Sequence, residues 1–163
     1  MLSVTKIFNF EMAHFLPNHD KNCKYLHGHS YKLEITIAGR QDKKNPNSSS
    51  YQMLIDFGKL KEIVDRNIID IFDHSLTVYK DQLDKELEIT LKKHFGERLN
   101  IVNYRPTAES MCIDFYGRIK HDIDQFDNTH IKRIRLYETE TSYADFEPDE
   151  IDAYLEKVKH YED

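Results

Sequence analysis

The chain has 163 residues, a formal net charge of −6, and 39% hydrophobic against 32% charged residues. This suits one soluble globular domain, long enough to bury a core without disulfides, and excludes a disordered chain. No Lys/Arg cluster offers a stripe for nucleic acid and no apolar run reaches the roughly 20 residues of a membrane helix, so neither is an expected partner; the segment Met1 to Phe10 lacks a signal-peptide pattern, and the cytoplasm is the expected location.

Val4 to His14 alternates, with Val4, Phe8, Phe10, Met12 and His14 on one parity. This predicts a half-buried strand ending in a histidine. Leu16 to Lys24 holds Pro17, Asn18, Asp20 and Asn22 and predicts a loop. Ser30 to Gly39 alternates through Tyr31, Leu33, Ile35 and Ile37 and predicts a second, antiparallel strand. Gln41 to Ser50 contains Asn45-Pro46-Asn47 and reads as a hairpin loop leading to a short third strand, Tyr51 to Ile55. Asp56 stands at a helix N-cap position. Beyond it Leu60, Ile63, Val64, Ile68, Ile71 and Phe72 recur at helical spacing, so the pattern predicts an amphipathic helix over 58–72.

Asp81 to His94 predicts an exposed helix with a narrow stripe of Leu83, Leu87 and Leu91. Leu99 to Tyr104 reads as extended. Pro106-Thr107 opens another helix, with Met111, Cys112, Phe115, Tyr116 and Ile119 on its buried face. Ile131 to Glu138 and Ser142 to Phe146 predict two more strands. Pro148 is placed to start a C-terminal helical extension. Without repeat or linker, residues 1–163 read as a single α+β domain, an antiparallel sheet covered on one face by helices.

The strongest chemical signal is His27-Gly28-His29. In a strand, residues i and i+2 point to one side, so both imidazoles can reach one ion. Gly28 leaves room and backbone freedom between them. His14, ending the preceding strand, can cross to the same point. Three histidines with an open fourth position is how catalytic zinc is held. Cys23 reads three ways from the residues alone: a fourth ligand closing a structural site, a base whose pKa a nearby metal lowers, or a bystander. Cys112, on an apolar helix face, reads as a buried small hydrophobe. Asp73-His74 pairs a carboxylate with an imidazole that it can orient. Glu138 shares parity with Ile134 and Leu136 and so needs a partner, either a guanidine-like ligand edge or an arginine. Glu109 reads equally as a site residue or as a helix-capping neighbour of Thr107. His19, His94, His121 and His130 read as solvated.

Taken together, His14, Cys-x-x-x-His-Gly-His at Cys23 to His29, Asp73-His74, Pro-Thr-Ala-Glu at Pro106 to Glu109, and Glu138-Thr139 resemble the 6-pyruvoyltetrahydropterin synthase / 6-carboxytetrahydropterin synthase family. The likeness spans about residues 4–145. It implies a tunnelling fold (T-fold), a four-stranded antiparallel sheet with two long helices on one face, assembled as trimers or as dimers of trimers with active sites between subunits. It also implies zinc (Zn2+) on His14, His27 and His29, Cys23 as general base, and Asp73 with His74 as a second proton relay. Glu138 would anchor the pterin, with Thr107 and Glu109 nearby. The Cys23 spacing resembles the bacterial carboxy-forming branch, whose lyase turns the small molecule 7,8-dihydroneopterin triphosphate into 6-carboxy-5,6,7,8-tetrahydropterin on the way to queuosine. A pyruvoyl-forming enzyme, a dihydroneopterin side-chain lyase and a non-catalytic zinc or pterin-binding module are the alternatives. The 80–99 segment is longer than in compact members.

Overall fold

The first two alternating segments become β1 (Leu2–His14) and β2 (His27–Gly39). In the computed structural model, which describes residues 1–148, they pair antiparallel from Leu2 opposite Gly39 to His14 opposite His27. Four further strands follow: β3 (Ser75–Tyr79), β4 (Leu99–Val102), β5 (Thr129–Thr139) and β6 (Ser142–Phe146). They form one sheet in the order β4-β3-β1-β2-β5-β6.

This corrects the expected four antiparallel strands. Among the described residues the sheet has six and is mixed, since β3 runs parallel to β1 and β4 parallel to β3. Both strands are entered through helical connections, which parallel neighbours require. The third strand expected at Tyr51 to Ile55 does not form. Gln52 adopts φ 63, and its N–H donates to the Asp42 carbonyl at 2.6 Å within a run of turns. The apolar pattern there reflects burial of Leu54 and Ile55 without a ladder. The third strand is instead β3, where Ser75, Leu76, Thr77 and Val78 are all buried and no alternation marks the strand. Its polar groups are satisfied inside the fold. Ser75 Oγ donates to the Phe72 carbonyl at 2.7 Å, and Asn100 Nδ2 donates to Ser75 Oγ at 3.0 Å.

The helix expected over 58–72 forms as α1 (Phe57–Val64), a π-helical segment (Asp65–Ile69) and α2 (Asp70–Phe72), without a break in helical backbone. Asp56 caps it, accepting from Gly58 N–H at 2.8 Å and Lys59 N–H at 3.1 Å. The buried residues Leu60, Val64, Ile68 and Phe72 recur every fourth position. A strict α-helix would drift about 40° per such step. The wider π turn takes up that drift and keeps the four on one face. α3 (Lys85–Phe95) is the expected exposed helix with Leu87 and Leu91 half-buried and Asp84 as its cap, but it starts later than Asp81: a 3-10 turn (Lys80–Gln82) precedes it and leaves Leu83 outside. α4 (Ala108–Ile123) begins at Thr107, whose hydroxyl accepts from Ser110 N–H at 3.4 Å.

α1, α2 and α4 cover one face of the sheet. Leu60, Ile68, Phe72, Met111, Phe115 and Ile119 pack there against Phe10, Tyr31, Leu33, Ile35, Ile134 and Leu136. A β-bulge in β5 opposite Thr36 and Ile37 inserts Lys132, so Ile131 and Ile134, three apart, both face the core. The C-terminal helix expected after Pro148 lies outside the described residues. Among the described residues no helix is long and apolar enough to cross a membrane.

Candidate active site

His14 and His27 are the last pair of the β1–β2 ladder, and His29 lies two residues along β2 on the same face. Gly28 is the residue between them because of space: a Cβ there would stand 3.2 Å from the Met12 carbonyl oxygen, and its φ needs no glycine. The three rings lie with centroids 4.6, 5.2 and 4.9 Å apart, and one nitrogen from each falls within 4.8 Å of the others.

The outer nitrogens fix the tautomers. His14 Nδ1 stands 2.7 Å from the Pro106 carbonyl and His27 Nδ1 2.7 Å from the Tyr25 carbonyl. A carbonyl only accepts, so each Nδ1 carries the proton and each neutral ring turns a bare Nε2 inward. The two Nε2 atoms face each other at 3.1 Å. Burial pushes the His14 imidazole down to about 4, against the Pro106 hydrogen bond, and burial also lowers His29, against the charge of Glu138. Neutral imidazoles with converging lone pairs are the donor set of a metal ion, so this group can hold one.

Glu138 completes the cluster. A second bulge, between Tyr137 and Thr139, leaves it without a partner on β6 and aims it at the histidines. Its Oε1 lies 3.6 Å from His14 Nε2 and 3.7 Å from His29 Nε2. The arginine alternative is not taken. Arg133 and Arg135 lie on the opposite face, against Glu34 and Asp145.

A cleft of about 290 Å³ opens beside the histidines. Cys23 enters it from a 3-10 turn (Asn22–Lys24), tied back by Leu16 N–H donating to the Cys23 carbonyl at 2.8 Å. Thr107 and Glu109 enter from the start of α4, so Thr107 both caps the helix and lines the cleft. Among the lining residues that were not expected, His19 and Arg105 carry ionisable groups. His19 is half-buried in the wall, not solvated, and Arg105 brings a guanidinium whose Nε is buried without a partner. His19 stands four residues before Cys23 and Arg105 two before Thr107, so nearness to the recognised motifs was their only signal. Cys112 is buried as expected, and its thiol is pushed up to about 12 by burial.

Asp73 and His74 are not brought to this cleft within one chain. They stand at the seam of β1 and β3, where Glu11 N–H donates to Asp73 Oδ1 at 2.9 Å and His74 N–H to the Glu11 carbonyl at 2.6 Å. These contacts hold His74 at φ 55 and leave its ring largely exposed. His74 Nδ1 lies 2.9 Å from Asp73 Oδ2. Partial burial works to raise the Asp73 carboxyl, but the hydrogen bonds from Glu11 and His74 outweigh it and hold it below its usual value. His74 borders a separate depression, with Glu11, Gly28 and Ser30.

Sheet, helices and histidine cluster together define a T-fold with a three-histidine group that could hold a metal ion. The chain belongs to the 6-pyruvoyl tetrahydropterin synthase family, whose model it matches over residues 3–149. It is 37% identical to the 6-carboxy-5,6,7,8-tetrahydropterin synthase of Haemophilus influenzae, over 90% of this chain and 99% of that protein. It is 33% identical to the protein of that name from Rickettsia typhi, over 89% and 99%. The fold is shared with the 6-pyruvoyl tetrahydropterin synthase of Plasmodium falciparum, at TM-score 0.64 and 18% identity, over 89% of this chain and 96% of that one.

Proposed function

We propose that this chain is a zinc-dependent 6-carboxy-5,6,7,8-tetrahydropterin synthase. It would take 7,8-dihydroneopterin triphosphate to 6-carboxy-5,6,7,8-tetrahydropterin with loss of acetaldehyde and triphosphate, a cytoplasmic step toward queuosine. The observation that carries the reading is one cleft shared by His14, Cys23 and Glu138, with the other two histidines against its wall. The relatives at 37% and 33% identity bear the name of this reaction.

Glu138 accepts the two N–H groups of the 2-amino pyrimidine edge, an arrangement suited to a carboxylate. Thr107 and Glu109 bound the pterin on the α4 side. His14, His27 and His29 would hold zinc, which would supply Lewis acidity to the reaction. Cys23, as thiolate, takes the proton from the substrate side chain. Asp73 accepts from His74 Nδ1–H and leaves Nε2 to exchange the second proton. Because that pair sits away from Cys23 in one chain, the site is completed by His74 of a second copy in a trimer or a dimer of trimers.

The test is turnover of 7,8-dihydroneopterin triphosphate by zinc-loaded protein, with products read by mass spectrometry. A 6-carboxy product with acetaldehyde is expected; a pyruvoyl product or no turnover would overturn the assignment. Cys23→Ala is expected to keep its metal and lose on the order of 10²–10⁴-fold in rate. Metal loss in that variant would instead make Cys23 a structural ligand.

A further inference from the structure

Tyr31 lies beside the histidines, and the reaction above gives it no task. Its ring is fixed, stacked on Phe10 at a centroid distance of 5.1 Å and edge-on to His29 at 5.5 Å and His14 at 6.2 Å. The residue is 1% exposed, and its hydroxyl is buried without a hydrogen-bond partner. A phenylalanine would fill this place, among Phe10, Phe72 and Phe115, without stranding an O–H. A buried hydroxyl left unpaired destabilises a fold, so its presence asks for an acceptor.

The strand register names that acceptor. Leu33 pairs with Leu136 and Lys32 with Tyr137, so Tyr31 and Glu138 come next, just past the end of the ladder. Both side chains lie on the helix-covered face. A phenol is an O–H donor and a carboxylate only accepts, so the direction of the bond is fixed by the two groups. Glu138 in turn stands at a bulge, where no ladder bond fixes its backbone, and leans toward the histidine nitrogens.

We propose that Tyr31 is a positioning residue whose hydroxyl donates to the Glu138 carboxylate and fixes the orientation in which Glu138 receives the pyrimidine edge of the pterin. The inference rests on the pterin-anchoring role of Glu138 given above. It adds that the anchor is aimed by the residue across the strand pair, not by its own backbone. Tyr31 acts through Glu138 and takes no part in proton transfer.

The experiment compares wild type, Tyr31→Phe, Glu138→Gln and the double variant, all zinc-loaded. It reads equilibrium binding of 7,8-dihydroneopterin by fluorescence, KM and kcat with the triphosphate, and thermal melting. Tyr31→Phe is expected to melt near the wild-type temperature, since the ring and its packing on Phe10 are kept. Binding and KM should weaken about tenfold, the size of one hydrogen bond to a charged acceptor, with kcat little changed. In the Glu138→Gln background the same change should add nothing. Wild-type binding by Tyr31→Phe, or the same loss with and without Glu138, overturns the inference. So does a lowered melting temperature with binding unchanged, which would make the hydroxyl purely structural. If Glu138→Gln itself binds as tightly as wild type, the anchoring role fails and this inference falls with it; that arm separates the two failures.

Discussion

His14 and His27 each meet two demands, a carbonyl outside and a lone pair inside, and both can be tested. His27→Ala is expected to lower bound zinc well below one equivalent, measured by atomic emission, while the core beneath keeps the fold. In metal-free protein, His14 is held to about 4 from an ordinary 6.5, chiefly by burial. As pH falls through 6.5 the unfolded chain takes up a proton that the folded chain refuses until about 4. The unfolded state therefore binds more protons across that window, and stability falls as pH drops from about 6.5 to about 4. The full effect is on the order of 3 kcal/mol. Urea unfolding of chelator-treated protein at several pH values checks it, and His14→Gln should flatten the slope.

At the scale of elements, irregularities place the chemistry. The bulge at Glu138 turns a strand residue into a site residue, and the π turn at Asp65–Ile69 keeps Phe72 in the core next to Asp73. Thr107 joins the two levels, capping α4 and lining the cleft. Thr107→Ala is expected to cost about 1 kcal/mol in denaturant unfolding, the ordinary loss of a cap. Phe115, buried under both Phe10 and Phe72, is a purely packing position. Phe115→Ala should cost roughly 3–5 kcal/mol. The α4 periodicity made Phe115 legible in the sequence. The bulges were not, because an inserted residue shows only when its partner strand is known.

For the whole molecule, the sheet face that no helix covers among the described residues and the two sheet edges bear on assembly. That face carries Lys32 over the Tyr137 ring at 3.7 Å and Arg135 paired with Asp145 through two 2.6 Å hydrogen bonds. Among the described residues, edge strands β4 and β6 each have a neighbour on one side only, which leaves edges that another copy can extend. Light scattering is expected to give the mass of three or six 19.5 kDa chains. A sharper check uses two inactive variants, Cys23→Ala and His74→Ala. Unfolded and refolded together, they should regain part of the activity in mixed oligomers. No recovery would place both groups in one chain and overturn the shared site.

Local order in the sequence was enough to determine the strand bearing His14, the His27-Gly28-His29 spacing, the Asp56 and Thr107 caps, and the core faces of α1 and α4. Each of these follows from periodicity or from neighbours within a few residues. The likeness of spaced motifs added the family. Tertiary structure alone decided that β3 is the third strand and runs parallel, because a fully buried strand shows no alternation and its direction depends on the crossover. It also decided that Glu138 faces the histidines, that His19 and Arg105 share the cleft with Cys23, and that Asp73-His74 does not. Those are distances between residues far apart in the chain, and only the packed sheet determines them.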